Sequence, residues 1–570
     1  MRRDAAALTD GSRLEAEVVV VGAGPLGIAT TLELANRGHQ VLLIESGHAA
    51  FDPRTQRLSD ADSRGEDAYH ARRDVSIRRQ VGGTSALWGG RCVPFDPVDF
   101  EPRPTVPERL WPIGYDELEK HLGRACGWAV CGDPVFNARE IPSLAGRDMT
   151  PGLPDGDVRT TDLERWALPT RFGSEYGEAL DLHPNVDLVT GLTCTEIVCA
   201  PDGASVDHLE LRSLGGLRAT ATGRRYVIAT GGLEATRLLL ASTAVHADGI
   251  GNHSGHLGRW YMAHIEARVA EVEFSAPPEQ TIYAHERDPQ GVYVRRRFSF
   301  DQDLLRGEAQ PNAVAWIVNP ELGDASHGSG ILSGVYLTLR SPLGTYLLAE
   351  AIRQAHIKTS RPTRVRDHLR NILRDLGPAA RFAVTFTYER FLRRGRKAPG
   401  FFVRSASNTY PLHYHGEHLP HWESRVFLSE ERDELGMRRL CTDMHVGDED
   451  VAAVRRALDR IDRHLREHGA GRIRYLSEDV EAGVRAYLQG IAGFHQTGTT
   501  RMSAHPDDGV VDPNLAVHGV PDLHVAATSV FPTSSQANPT LTGLAFAVRL
   551  ADHLDDALRP AEPVTAVPAG

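Results

Sequence analysis

Four consecutive valines, Val18 to Val21, form a short β-branched run of the kind that lies in a parallel sheet buried on both faces. The run passes into Gly22-Ala23-Gly24-Pro25-Leu26-Gly27, then into helical spacing from Ile28 to Asn36, a stop at Gly38 and a second apolar strand from Val41 to Ile44. Glu45 and Ser46 close that strand. Arg224 to Gly232 repeats the theme: a strand runs out into Ala229, Thr230 and Gly231, and a helix follows from Glu234 to Ala241. Val186 to Val198 alternates as further strand and carries Cys194. Beyond Leu257 the period becomes two, with alternating runs from Ala267 to Phe274 and Ile282 to Phe300, continued through Pro311 to Leu339, and these predict an antiparallel sheet. Gly447 to Asp450 predicts the cap of an amphipathic helix that reaches His468. Pro539 at a first helical position, followed by Thr540 and the apolar run Leu544 to Leu550, predicts a closing helix.

These elements predict an α/β fold, α+β overall. A Rossmann-like dinucleotide-binding domain is interleaved with a substrate domain built on an antiparallel sheet plus helices. The first domain takes residues 1–105, 181–260 and 491–570, the substrate domain takes 261–490, and 106–180 forms a connection and substrate-side cap. A length of 570 residues fits such a division, since it exceeds what one compact core organises.

Charge and composition narrow the partners. The net charge is -12 and no basic block dominates, which argues against a nucleic-acid partner. Six cysteines without a C-x-x-C pattern fit a reducing cytoplasm. Met1 to Glu17 reads as a floppy tail rather than a signal peptide, and no apolar run is long enough to span a membrane, so no integral membrane association is expected. Residues 353–397 hold 13 Arg/Lys against Asp367, Asp375 and Glu389; a solvated helical pair is preferred there over a surface-binding arm. Thr409 to His421 is rich in His and Tyr but lacks compact zinc spacing, so it reads as a strand or loop lining a pocket or sheet face, and no metal is predicted.

The glycine spacing after Val21 has a chemical reading. Gly22 allows the tight turn, Gly24 lets backbone approach a pyrophosphate, Gly27 allows close helix-to-strand packing, and the helix N-terminus faces the phosphate charge. Glu45 is placed for ribose hydroxyls. The position of this unit near the N-terminus favours FAD over NAD, and the turn at Ala229 to Gly231 offers a second backbone approach. Arg79 to Arg91 is a third glycine-rich stretch: Gly82, Gly83 and Gly89 permit close contact, Thr84 and Ser85 bring hydroxyls, and Trp88 can pack on a flavin ring. Far downstream, His495 sits in a Gly/Thr turn and Asn538 precedes the closing helix, 43 residues on. The imidazole can take a hydroxyl proton near neutral pH, while the carboxamide, which does not titrate, can hold the oxygen in line.

Gly22 to Glu45, Gly82 to Gly90, the His495 motif with Arg501-Met502, and the tail from Gly509-Val510-Val511-Asp512 through Asn538-Pro539-Thr540 together resemble the glucose-methanol-choline (GMC) oxidoreductases. Among these they are most similar to pyranose oxidases and bacterial glycoside 3-oxidases. The resemblance implies FAD held by Gly22, Gly24, Pro25, Leu26, Gly27, Glu45, Ser46, Arg79, Gly82, Gly83, Thr84, Ser85, Trp88, Gly89, Cys194, Ala229, Thr230, Gly231, Ser529, Asn538, Pro539 and Thr540. It implies catalysis by His495 and Asn538, with the closing helix aimed at the flavin. Leu87 stands where pyranose oxidases carry a histidine for covalent attachment, so non-covalent FAD is expected; Ala527-Thr528-Ser529 replaces the common Asp-Ala-Ser. The implied activity is oxidation of a secondary alcohol of a sugar or glycoside to a ketone, with oxygen, a quinone or a carrier taking the electrons. Oxidation of a polycyclic or natural-product alcohol, and a non-redox lyase that keeps FAD, are the alternatives.

Overall fold

The computed structural model describes residues 2–63, 69–108, 110–347, 353, 357, 363–490 and 492–559. Part of the basic stretch 353–397 and the Pro/Ala tail after Arg559 therefore lie outside the described residues.

The valine run is the centre of a seven-stranded sheet, ordered Arg2–Asp4, Val186–Thr190, Val41–Glu45, Val18–Val21, Arg225–Ile228, Val520–Val525 and Ala516–Val517. All neighbours are parallel except the last pair. Every residue of Val18–Val21 and Val41–Glu45 is buried, as two-sided packing requires. The helices Pro25–Ala35 and Thr540–Leu558 share one hydrophobic core with these strands. Parallel strands need crossovers, so chain from the start, middle and end converges here, with strand ends lying side by side.

A second sheet of six antiparallel strands is ordered Gly471–Tyr475, His264–Phe274, Thr409–Glu417, Ala313–Ile317, Phe298–Phe300 and Val158–Arg159. The helix Asp448–Glu467 packs its Val451, Val454, Leu458 and Ile461 into the core under this sheet. Its N-cap residue Gly447 donates its backbone N–H to the Asp450 carboxylate at 2.7 Å.

Four expectations need correction. Residues 2–17 are not a floppy tail: Arg2–Asp4 pairs with Val186–Thr190, and Ser12–Glu15 pairs with Arg218–Thr222. The 186–198 strand is two strands in different sheets, broken at Gly191, whose φ of 71° turns the chain into Thr193–Cys199. The stretch 311–339 is strand only at Ala313–Ile317; Gly330–Arg340 is a helix, capped by the Ser329 hydroxyl, which accepts from the Leu332 N–H. The closing helix begins at Thr540, with Pro539 as its N-cap residue rather than its first turn.

Candidate active site

One large cavity, of about 760 Å³, opens between the two sheets at the ends of the parallel strands. Gly22, Gly24, Pro25 and Leu26 line it from the first turn, Glu45 and Ser46 from the next strand end, and Ala229, Thr230 and Gly231 from the third. Arg79, Gly83, Thr84, Ser85, Trp88 and Gly89 form a further wall, and His495, Asn538, Pro539 and Thr540 stand in the lining with Cys194. The turns touch each other: a Cβ at Gly22, where φ is 103°, would lie 2.6 Å from the Ala229 carbonyl oxygen.

Three of the expected positions stand outside this lining. Gly27 packs behind it, since a Cβ there would fall 1.9 Å from the Gly22 carbonyl oxygen. Gly82 backs onto Gly173, whose nitrogen would lie 2.3 Å from an added Cβ. Ser529 also stands behind the lining: it is fully buried, and its hydroxyl accepts from Thr500 Oγ1 at 2.7 Å, tying the His495 loop to the segment after the last long strand.

Several expected contacts already have partners within the protein. The Glu45 carboxylate accepts from the Ala23 and Gly47 N–H groups at 2.8 and 2.7 Å, holding the first turn against its strand and leaving further acceptor capacity toward the cavity. Arg79 donates to Glu234 at 2.6 Å and to Ser46 Oγ at 2.9 Å, so its charge is balanced within the wall. Trp88 is anchored by its indole N–H on the Thr170 carbonyl at 2.9 Å. Burial pushes the Cys194 thiol up to about 12, so it lines the cavity as an unreactive group. Leu87 lines the same wall and offers no nucleophile.

His495 and Asn538 meet: Asn538 Nδ2 lies 2.9 Å from His495 Nε2. The loop that carries the imidazole needs its glycines, for at Gly498 φ is 92° and a Cβ would sit 1.8 Å from the Trp260 carbonyl oxygen. On the far side of the ring, His495 Nδ1 lies 2.9 Å from Nδ1 of buried His264, at the start of the antiparallel strand His264–Phe274. An amide nitrogen only donates, so Nε2 of His495 accepts and its proton sits on Nδ1, donated to His264. His415 stacks on His264 with ring centres 4.1 Å apart. Burial, and then the charge of Arg91, lower the pKa of His495 to about 3, so the imidazole is neutral near pH 7.

Two further groups that the sequence reading did not single out line the cavity, Arg91 at the end of the third glycine-rich stretch and Glu266 from the antiparallel sheet. Arg91 lines the cavity, pairs with Glu164 and lies over the Trp316 ring at 4.4 Å. Glu266, two residues past His264, also lines it; burial raises its pKa to about 7, against the pull of Arg268 and Arg91. His413 Nε2 lies 3.5 Å from it, and burial lowers that imidazole's pKa well below its ordinary value, so it stands there as a neutral ring. An acid at the third position of an alternating strand was the available signal, but only tertiary pairing brings it to His495. A second histidine cluster, His418, His421 and Asp450, is internally paired: Asp450 accepts from His421 Nε2 and from the Leu419 and Gly447 N–H groups at 2.7 to 2.9 Å.

The cavity fits a dinucleotide on its own geometry. A Cβ at Gly24 would find its nearest neighbour 4.0 Å away, and at Gly89 or Gly231 nothing within 4 Å, so bare backbone faces open space at three points of the lining. Thr230 Oγ1 and Asn538 Oδ1, both in the lining, are buried without a protein partner. The N-terminus of the Thr540–Leu558 helix brings its positive end to the same space.

A parallel-sheet cavity with these glycine turns and a histidine–carboxamide pair defines an FAD-dependent oxidoreductase, and comparison with known proteins agrees. Residues 420–547 match the family model described as GMC oxidoreductase. The chain is 23% identical to 2-methyl-1,2-propanediol dehydrogenase of Mycolicibacterium austroafricanum, over 95% of both proteins. It is 24% identical to paromamine 6'-oxidase of Streptomyces fradiae, over 94% of this chain and 90% of that protein. A local match of 67 residues, 49% identical, links it to C-glycoside 3-oxidase of Microbacterium trichothecenolyticum, over 11% and 13% of the two chains. Pyridoxine 4-oxidase from Mesorbium loti shares the fold, with a TM-score of 0.54 at 18% identity over 94% of this chain and 99% of that one. Residues 420–547 are thus of GMC oxidoreductase type, and the protein is an FAD-dependent alcohol oxidoreductase, similar along nearly its whole length to alcohol dehydrogenases and oxidases.

Proposed function

We propose that this enzyme oxidises a secondary hydroxyl of a sugar or glycoside to a ketone, with His495 as base and Asn538 as the group that positions the substrate oxygen. The observation that carries the reading is the 2.9 Å pair of His495 and Asn538 in one cavity with Glu266 and Arg91. Bound FAD supplies the hydride acceptor. A substrate hydroxyl that replaces the mutual bond of the pair donates to His495 Nε2 and accepts from Asn538 Nδ2, which fixes its carbinol carbon. His495 takes the proton, and the imidazolium keeps its Nδ1–H on His264. Arg91 opposes that imidazolium but stabilises negative charge developing on the substrate oxygen. Glu266 and Arg91 offer an acceptor and a donor to the neighbouring hydroxyls that a sugar has and a simple alcohol lacks.

The non-covalent hold on FAD rests, in this reading, on the turns around Gly24, Gly83 and Gly231, with Leu87 providing no attachment point. A second reading, oxidation of a small non-sugar diol, is favoured by the near full-length similarity to the propanediol dehydrogenase. Anaerobic mixing of the yellow holoprotein with a panel of glycosides, monosaccharides and simple diols separates the two. Rapid bleaching by glycosides, abolished in His495→Ala, is expected; bleaching by diols alone overturns the sugar assignment.

A further inference from the structure

Of the fifteen large apolar side chains left exposed among the described residues, eight fall between 365 and 392. Leu373, Val384, Leu392 and Leu376 are 74%, 73%, 68% and 59% exposed. The same segment is strongly cationic: residues 364–397 hold ten Arg/Lys against Asp367, Asp375 and Glu389, a surplus of seven in a chain whose net charge is -12. A solvated helical pair would turn its apolar positions inward; here Phe382 and Phe386 pack on Phe401, but the eight others stay exposed.

The presentation is built into the helix Val365–Arg374. Val365, Leu369 and Leu373, at i, i+4 and i+8, form an exposed stripe, and Arg366, Arg370 and Arg374 form the stripe beside it. The other side is fixed to the protein: His368 Nδ1 bonds Ser333 Oγ at 3.1 Å and Asn371 donates to the Ala325 carbonyl at 2.8 Å. The leucines cannot roll inward without breaking those buried bonds. The next helix, Leu376–Thr387, buries none of its residues, and the turn after it exposes Tyr388, Phe391 and Leu392 beside Arg393 and Arg394. Apolar and aromatic groups flanked by arginine are the composition of a segment lying in a lipid headgroup layer.

We propose that this helical arm docks on the surface of an anionic lipid bilayer. The charge surplus selects the partner, since about 1 kcal/mol is gained per Lys or Arg held near an anionic membrane surface. The arm returns to the body beside the cavity: the Lys397 N–H donates to the Leu168 carbonyl, and Leu168 packs where a Cβ at Gly90, in the cavity wall, would lie 3.1 Å from it. Docking would therefore hold the cavity next to the bilayer. Among the described residues no helix is long and apolar enough to cross a membrane, so the association is peripheral.

The test is sedimentation of the full-length, FAD-loaded protein with vesicles of phosphatidylcholine alone or mixed with phosphatidylglycerol. Binding to the mixed vesicles only, weakened by salt, is expected. Replacing Leu373, Leu376 and Leu392 with Glu should abolish it, and R366Q/R370Q/R394Q should lower partitioning about a hundredfold, both leaving turnover of a soluble alcohol unchanged. Failure to bind either vesicle overturns the proposal, as does equal binding to both. So does a light-scattering mass showing that the leucine variant dissociates a dimer, which would make a second copy the occupant of this face.

Discussion

His264 and His495 face each other through Nδ1 atoms 2.9 Å apart, so the tautomer of one ring dictates that of the other. With Asn538 donating to His495 Nε2, the shared proton belongs to His495, and His264 holds the base in the orientation that leaves Nε2 bare. His264→Ala should therefore slow anaerobic flavin reduction about 10- to 100-fold through misplacement of the base. His495→Ala should cost about 10²- to 10⁴-fold. His264→Asn, whose amide oxygen can accept from Nδ1, should recover part of the rate. Stopped-flow reduction at saturating substrate checks this; an unchanged rate in His264→Ala removes His264 from the mechanism.

The pH dependence should not come from the base. His495, lowered to about 3 by burial and then by Arg91, stays neutral across the working range, whereas Glu266, raised to about 7 by burial, ionises within it. If the Glu266 carboxylate accepts a substrate hydroxyl, kcat/KM rises as pH increases through about 7. Glu266→Gln should flatten that limb and raise KM more than it lowers kcat. A limb that survives the substitution assigns the titration elsewhere.

Acid should destabilise the fold through buried histidines. Burial lowers His70, His285, His495 and His524 to about 3 in the folded protein. The unfolded chain then binds more protons below about 6.5, and the stability these groups contribute, complete above that pH, is lost as pH falls toward 3. Each should remove on the order of 1 kcal/mol by pH 5.5. Asp99 and Glu266, raised to about 7, act in the opposite direction, but two carboxyls do not offset four imidazoles. Calorimetry should show Tm falling from pH 7 to pH 5, less steeply in His285→Gln; a Tm that rises with acid contradicts the assignment.

What could be read from the chain was what local pattern controls. Val18–Val21 and the glycines after it were legible because a strand buried on both faces and a turn too tight for a Cβ leave a short, dense signature. The closing helix and the Asn538 position were legible for the same reason. Arg2–Asp4 was not, because three residues become a strand only by pairing with Val186–Thr190, with Leu188 opposite Arg2 far along the chain. Gly330–Arg340 was read as strand since its apolar residues run without clear period, and the Ser329 cap became meaningful only once a helix stood behind it. His264 lies 231 residues from His495, a distance no spacing rule crosses.

Two glycines three residues apart, Gly24 and Gly27, should separate fold from cofactor binding. Gly24 has an ordinary φ of -77° and room for a side chain, its nearest would-be neighbour being the Ala229 oxygen at 4.0 Å, yet it lines the cavity. Gly27 has no such room, with the Gly22 oxygen 1.9 Å from an added Cβ. Gly24→Val should leave the far-ultraviolet circular dichroism of the apoprotein unchanged while weakening FAD binding about tenfold or more, because the new methyl groups occupy cofactor space. Gly27→Ala should push the helix off its strand and lower both apoprotein Tm and FAD content. Full FAD occupancy with wild-type affinity in Gly24→Val would mean that the cofactor does not approach this turn, and the wall around Gly24 would then need another occupant.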